Sequence, residues 1–235
     1  MPVAAPEMEF NRLLDGLPCR DRSKILQYCE PVDLVFGEIL CEPDQPFRDV
    51  YFPLTGIISL VATAGGHQPL EMGLIGNEGM LGATLVLAVD TAPLRGLVQS
   101  AGTALRMPAP QLRHALLANP SLHRTLNHYL YVSMAQLSQT GVCTRFHEIE
   151  QRLARLLLMT HDRAHTDQFH LTHACLADLL GVRRSSITIA AGSLQHKALI
   201  RYTRGAIKIL DRRGLEAASC ECYSAALDDY ARLLA

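Results

Sequence analysis

The chain has 235 residues, with 22 Lys and Arg against 23 Asp and Glu, 49% hydrophobic residues, seven cysteines and no tryptophan. That length holds one large domain or two modest ones, and the composition excludes both a disordered and a supercharged chain. A net charge of −1, taken as an average, argues against a nucleic-acid binder.

The opening MPVAAPEMEF carries two acids and no basic start ahead of an apolar run, so no signal peptide is expected. No run of about 18 apolar residues follows, so no membrane span is expected either. Cysteines at 19, 29, 41, 143, 175, 220 and 222 are odd in number and scattered, which fits a reducing cytoplasm better than a disulfide framework. Residues 9–30 place Phe10, Leu13, Leu14, Leu17, Ile25, Leu26 and Cys29 at helical spacing, broken by Gly16 and Pro18, and predict one or two short helices. From 31 to 107, short runs such as DVYFP, GIISLVAT, LEMGLI and RGLVQS are separated by turn residues at regular intervals. That pattern predicts an antiparallel sandwich or barrel.

Beyond Pro108 and Pro110 the period becomes helical. Asn119 is a good N-cap and Pro120 suits the first turn of a helix running past residue 135. Leu126, Leu130, Met134, Leu137 and Gly141 follow spacings of four, four, three and four. This stripe reads equally as the face packed on the chain's own β-domain or as a dimer seam. Phe146, Ile149, Leu153, Leu156 and Leu157 predict a separate helix, followed by the polar link HDRAHTDQ, where one core can end and another begin.

Residues 172–194, THACLADLLGVRRSSITIAAGSL, fit a helix-turn-helix opening near Thr172 and His173. Ala177 is small where two helices cross closely, and Gly181 tolerates the positive φ of the turn. Leu176, Leu180, Val182, Ile187 and Ala190 supply the shared apolar seam, leaving Arg183, Arg184, Ser185, Ser186 and Thr188 outside. Arginine pairs bidentately with guanine in the major groove, and a helix N-terminus favours phosphate. Then come ALIRY and AIKIL around TRG, two short strands and a turn, which place Arg201, Tyr202, Arg204 and Lys208 along a basic hairpin. A helix-turn-helix with such a hairpin is a winged helix, and its cations suit phosphate contacts.

The average charge hides a dipole. Residues 1–144 hold 9 bases against 13 acids, whereas 183–213 hold 8 bases, Lys197 among them, against one acid, Asp211. Here the average argues against DNA and the distribution argues for it.

The order of β-domain, long helix and LADLLGVRRSSITIAAGSLQHKALIRYTRGAIKILD resembles the Crp/Fnr superfamily of bacterial transcription regulators. The stretch LCEPDQPFRDVYFPLTGIISL is similar to that family's cyclic-nucleotide-binding-like jelly roll. The resemblance implies an α+β chain. Its parts would be an N-terminal β jelly roll over 1–120, a long dimerisation helix over 121–144 and a C-terminal winged helix-turn-helix over 145–235. It also implies a cytoplasmic homodimer whose partners are a palindromic double-stranded DNA operator and RNA polymerase, with no membrane. Arg184 then falls where the family contacts a guanine, with Ser185 and Ile189 also facing the major groove. Ile189 stands where a third polar contact is common, and can meet a thymine methyl instead.

Cyclic-nucleotide binders of the family carry a Gly-Glu pair and then an Arg-Ser or Arg-Thr pair. Here Gly79, Met80, Leu81, Gly82 and Ala83 occupy the cassette, with Ala83 where the glutamate belongs, and Arg95 is followed by Gly96 rather than a hydroxyl. An unmatched buried phosphate is costly, so weak or no binding of cyclic AMP is expected, and any effector is unknown. No metal or other cofactor is expected. The gaps between Cys19, Cys29 and Cys41 are too long for a cluster, Cys220 and Cys222 read as packing of a terminal helix, and His147, His161, His165, His170 and His173 read as polar surface or caps. No nucleophile-elbow, Walker or dinucleotide motif is present, so an enzyme is not expected. The competing reading is a ligand-sensing module whose winged helix binds a protein partner; selection on random duplexes separates the two.

Overall fold

A computed structural model describes residues 10–65, 67–164 and 166–234; His165 lies outside them. Two short helices, α1 (Arg12–Asp15) and α2 (Cys19–Leu26), open the described chain. Asn11 caps α1 through Oδ1, while its amide donates to the carbonyls of Pro53 and Gly79 at 3.0 and 2.8 Å, pinning the helix to the β-domain.

Seven strands follow, β1 (Glu30–Leu34), β2 (Ile39–Cys41), β3 (Asp49–Pro53), β4 (Ile57–Ala62), β5 (Leu70–Ile75), β6 (Arg95–Ser100) and β7 (Gly102–Pro108). They form two antiparallel sheets, ordered β1-β7-β3 and β2-β6-β4-β5. Successive side chains of a strand point to opposite faces. On β4, Ile58 therefore enters the sandwich core with Phe52, Val98 and Met107, while its neighbour Ile57 joins Leu74 in the core of the C-terminal unit.

Helix α3 (Ala109–Ala118) leads to α4 (Pro120–Phe146), 27 residues long. Asn119 Oδ1 accepts from the backbone N–H of Ser121 and Leu122 at 3.1 and 3.0 Å, and Pro120 takes the first helical position, where its missing N–H costs nothing. The buried residues of α4 are Leu122, Leu126, Tyr129, Val132, Gln136, Thr140 and Cys143, of which Leu122, Leu126 and Tyr129 join the core of the β-domain. Leu126, expected on a seam with Leu130, Met134, Leu137 and Gly141, is thus fully buried in the chain's own core. At about 100° per residue, it sits roughly 80° around the helix from Met134, far enough to change faces. Met134 is 62% exposed and lies between Leu130 and Leu137, both half-buried. Phe146 ends α4, 71% exposed, instead of opening the next helix.

That helix, α5 (Ile149–Ala164), packs on α6 (His173–Leu180), α7 (Arg184–His196) and α8 (Arg212–Ala218) around Leu153, Leu157, Ile187 and Leu215. A three-stranded sheet of β8 (Gln168–His170), β10 (Ala206–Ile209) and β9 (Ile200–Thr203) completes the unit; β8 rises from the end of the link read as polar loop. The last helix, α9 (Cys222–Leu234), lies along α4, with Tyr230 and Leu234 against the sandwich core.

Where β5 meets α5, burial pushes the Glu71 carboxyl up to about 7, opposed by the Ser59 hydroxyl, which donates to it at 2.9 Å, and by Arg155 and Arg163. The folded value exceeds the unfolded one, so this group favours folding most at low pH and progressively less from about pH 4.5 to 7. Glu71→Gln is expected to raise stability by about 1–2 kcal/mol at pH 8 and to leave it unchanged at pH 4. Thermal melts at the two pH values read this; an equal shift at both would refute the buried-acid assignment.

Candidate nucleic-acid interface

Helix α6 begins at Thr172, whose Oγ1 accepts from the N–H of Cys175 at 3.1 Å, and ends at Gly181, whose φ of +62° turns the chain toward α7. Ala177 and Ile187 are buried at the crossing, as their spacing predicts. Arg183 is the N-cap of α7, and Arg184, Ser185, Thr188 and Ile189 are exposed on its outer face, with Ser186 half-buried. Ile189 is 75% exposed, unusual for a large apolar side chain in the middle of a helix.

In the hairpin, Ala206 pairs with Thr203, leaving Arg204 and Gly205 as a two-residue loop with φ of +50° and +88°. Positive φ at both centres matches the twist of the flanking strands, and holding Arg204 there projects a cation at the tip at some cost in backbone strain. Gly205 has no room for a side chain, because a Cβ would lie 2.6 Å from Nε2 of His170.

Several residues expected at the DNA face also make contacts within the domain. The His173 ring stacks on Tyr202 with centroids 4.3 Å apart, and its Nδ1 lies 3.1 Å from Oγ1 of Thr188, which donates to the Arg184 carbonyl. Tyr202 donates its N–H to Oε1 of Gln195 at 2.6 Å. These contacts lock the start of α6, the recognition helix and the wing to one another. Burial, and then the charge of Arg184, hold the His173 pKa below its usual value, which keeps the stacked ring neutral. Thr172 spends its hydroxyl on the cap, and Lys197 is paired with Glu150 of α5. Arg183, Arg184, Arg201, Arg204 and Lys208 are exposed and make no ion pair with any described residue. The winged unit therefore exposes five cations with no ion pair among the described residues, together with the hydroxyl of Ser185.

The β-domain cassette is different. Met80 and Leu81 are almost fully buried in the sandwich core, and Ala83 starts a 3-10 helix over Ala83–Leu87. Gly79 has Tyr129 of α4 against it, so that a Cβ would come within 2.4 Å of the phenol oxygen. Gly82, at φ +95°, is similarly closed by Val50. Arg95, the one candidate anion contact, donates to Glu42 at 2.9 Å. A cavity of about 380 Å³ lies elsewhere, beside the buried Glu78–Arg163 pair and lined by Leu227 and Tyr230 of α9.

A model of the Crp-like helix-turn-helix domain matches residues 151–218. The chain carries a Crp-like helix-turn-helix domain. FixK2 from Bradyrhizobium japonicum is similar in structure, with a TM-score of 0.70 at 14% identity over 82% of this chain and 98% of that one. So is the c-di-GMP-responsive global regulator CLP of Xanthomonas campestris, with 0.67 at 14% over 82% and 99%. A CRP/FNR-family transcriptional regulator from Thermus thermophilus gives 0.62 at 20% over 83% and 98%. At these identities the likeness is one of fold, and it extends through the β-domain and the central helix. No curated protein matches the sequence. Among the described residues no helix is long and apolar enough to cross a membrane.

Sequence reasoning missed one grouping beside the Crp-like domain. Cys143 and His147 at the end of α4 meet Cys220 and Cys222 at the start of α9, although 73 or more residues separate the two pairs in the chain.

Proposed function

We propose that this chain is a transcription regulator of the Crp/Fnr type, a cytoplasmic homodimer that reads a palindromic operator, inserting α7 of each subunit into a major groove and acting on transcription through RNA polymerase. The outer face of α7 carries the reading, with Arg184 and Ser185 as polar contacts and Ile189 as an apolar contact to a thymine methyl. Arg201, Arg204 and Lys208 on the wing supply phosphate contacts, which give affinity and register. Lys197, neutralised by Glu150, is left out of that set.

The exposed stripe of Met134 and Gly141, flanked by Leu130 and Leu137, supports α4 as the dimer seam. The packed cassette and the Glu42-paired Arg95 support loss of cyclic AMP binding. The observation that carries the reading is the unpaired basic surface centred on the N-terminus of α7. Selection on random duplexes is expected to enrich a two-fold symmetric site with half-sites about 34–36 Å apart. Met134→Glu is expected to give monomers in sedimentation and to abolish that symmetric preference. No enriched palindrome would instead favour a protein partner for the winged helix.

A further inference from the structure

We propose that Cys143, His147, Cys220 and Cys222 bind one zinc ion, which ties the end of the central helix to the start of the last one. Cys143 and His147 stand four residues apart at the last turn and cap of α4, so both side chains leave the same face. Cys220 and Cys222 flank the turn into α9, closed by the Tyr223 N–H donating to the Cys220 carbonyl at 3.0 Å.

The four donor atoms all lie within 4.8 Å of one another; Sγ of Cys143 and Cys220 are 3.6 Å apart, and Sγ of Cys222 is 3.4 Å from Nδ1 of His147. With zinc–sulfur bonds of about 2.3 Å and zinc–nitrogen bonds of about 2.0–2.1 Å, a tetrahedron has edges of roughly 3.5–3.8 Å. Three thiolates and one imidazole make a closed donor set, which marks a structural rather than a catalytic site. The spacing leaves room for one ion and not for an iron–sulfur cluster, whose irons each reach their own thiolates.

Two neighbours favour a metal over simple thiol packing. Nε2 of His147 is bonded to Oε1 of Glu221 at 3.1 Å, which orients the ring and leaves Nδ1 for the ion, the carboxylate–histidine arrangement of metal sites. Arg152 and Arg155 of α5 are buried, line the same small cavity as Cys143, and make no ion pair with any described carboxylate. Nε of Arg155 has no hydrogen-bond partner among the described residues. Three thiolates and Zn²⁺ carry a net charge of −1, which adds counter-charge beside these two cations, whose cavity otherwise holds Glu71 as its one carboxylate.

The full-length protein, purified under reducing conditions from zinc-supplemented cells, is expected to hold one zinc per chain by elemental analysis. Replacement by Co²⁺ is expected to give the visible absorption of a tetrahedral thiolate site. Cys222→Ser and His147→Ala are expected to weaken zinc binding by more than about 100-fold in chelator competition, beyond the 10–100-fold typical of losing a residue behind the ligands. Cys19→Ser and Cys29→Ser are expected to leave it unchanged. The site is refuted if reduced wild-type protein, incubated with excess zinc, retains none above a buffer control and shows no cobalt spectrum. It is equally refuted if Cys143 and Cys220 are isolated as a disulfide that re-forms in the presence of zinc. None of these readouts involves DNA, so they stand or fall apart from the operator.

Discussion

Arg163→Met is expected to destabilise the protein by about 3–5 kcal/mol, the cost of leaving one partner of a buried ion pair alone. Nε of Arg163 donates to Oε1 of Glu78 at 2.8 Å, with both side chains almost out of solvent at 7% and 12% exposure. A second guanidinium nitrogen donates to the Met159 carbonyl at 3.0 Å. The same carboxyl oxygen accepts from the Gly76 N–H at 3.2 Å, and the Tyr230 hydroxyl is 3.5 Å away. Gly76 is bare because a Cβ there would come within 2.7 Å of the arginine stem. The pair joins the β-domain, α5 and α9, so its loss is felt by all three. Removing both charges in Arg163→Met/Glu78→Leu is expected to recover most of the deficit, since the desolvation cost disappears with the attraction. Urea midpoints at low and high salt read both variants, and the buried pair is expected to respond little to salt. A single-variant loss below about 1 kcal/mol would show that the pair is solvated in practice.

Arg184→Ala is expected to cost about 1–3 kcal/mol of operator binding, a factor of roughly 5 to 150, and to relax selectivity at a single base pair. Arg184 occupies the first turn of α7, exposed and free of ion pairs with described residues, and the helix N-terminus adds no competing negative charge. Arg204→Ala gives the contrast. From the hairpin tip it is expected to weaken all duplexes alike and to lower the salt slope by about 1, as a phosphate contact should. Titrations of the selected site and of single-base variants at several salt concentrations distinguish the two. Unchanged discrimination in Arg184→Ala would move the reading surface away from α7.

The winged helix was legible because its signals are local. Ala177, Gly181 and Ile187 sit at fixed offsets, and Thr-Arg-Gly between two β-runs specifies its own turn. The cap at Asn119 and the start of α4 were legible for the same reason. Leu126 was misplaced because its stripe is ambiguous over a long helix with two apolar faces, and only the position of the β-domain decides which face Leu126 belongs to. The stacking of Tyr202 on His173 was not legible, because nothing in their spacing announces that their rings meet. The cysteine–histidine group was half visible. Cys143 and His147 share the one-turn spacing of helical ligand pairs, but the pairing with Cys220 and Cys222 depends on α9 folding back along α4.

Strand β4 gives its adjacent residues Ile57 and Ile58 to different cores. The sheet is thus a party wall: the outer face of the sandwich is the floor of the winged unit. No slack connection insulates one from the other at this point. A displacement of this single strand would therefore disturb both cores at once. A substitution at either isoleucine would be felt on the far side of the wall, one residue away.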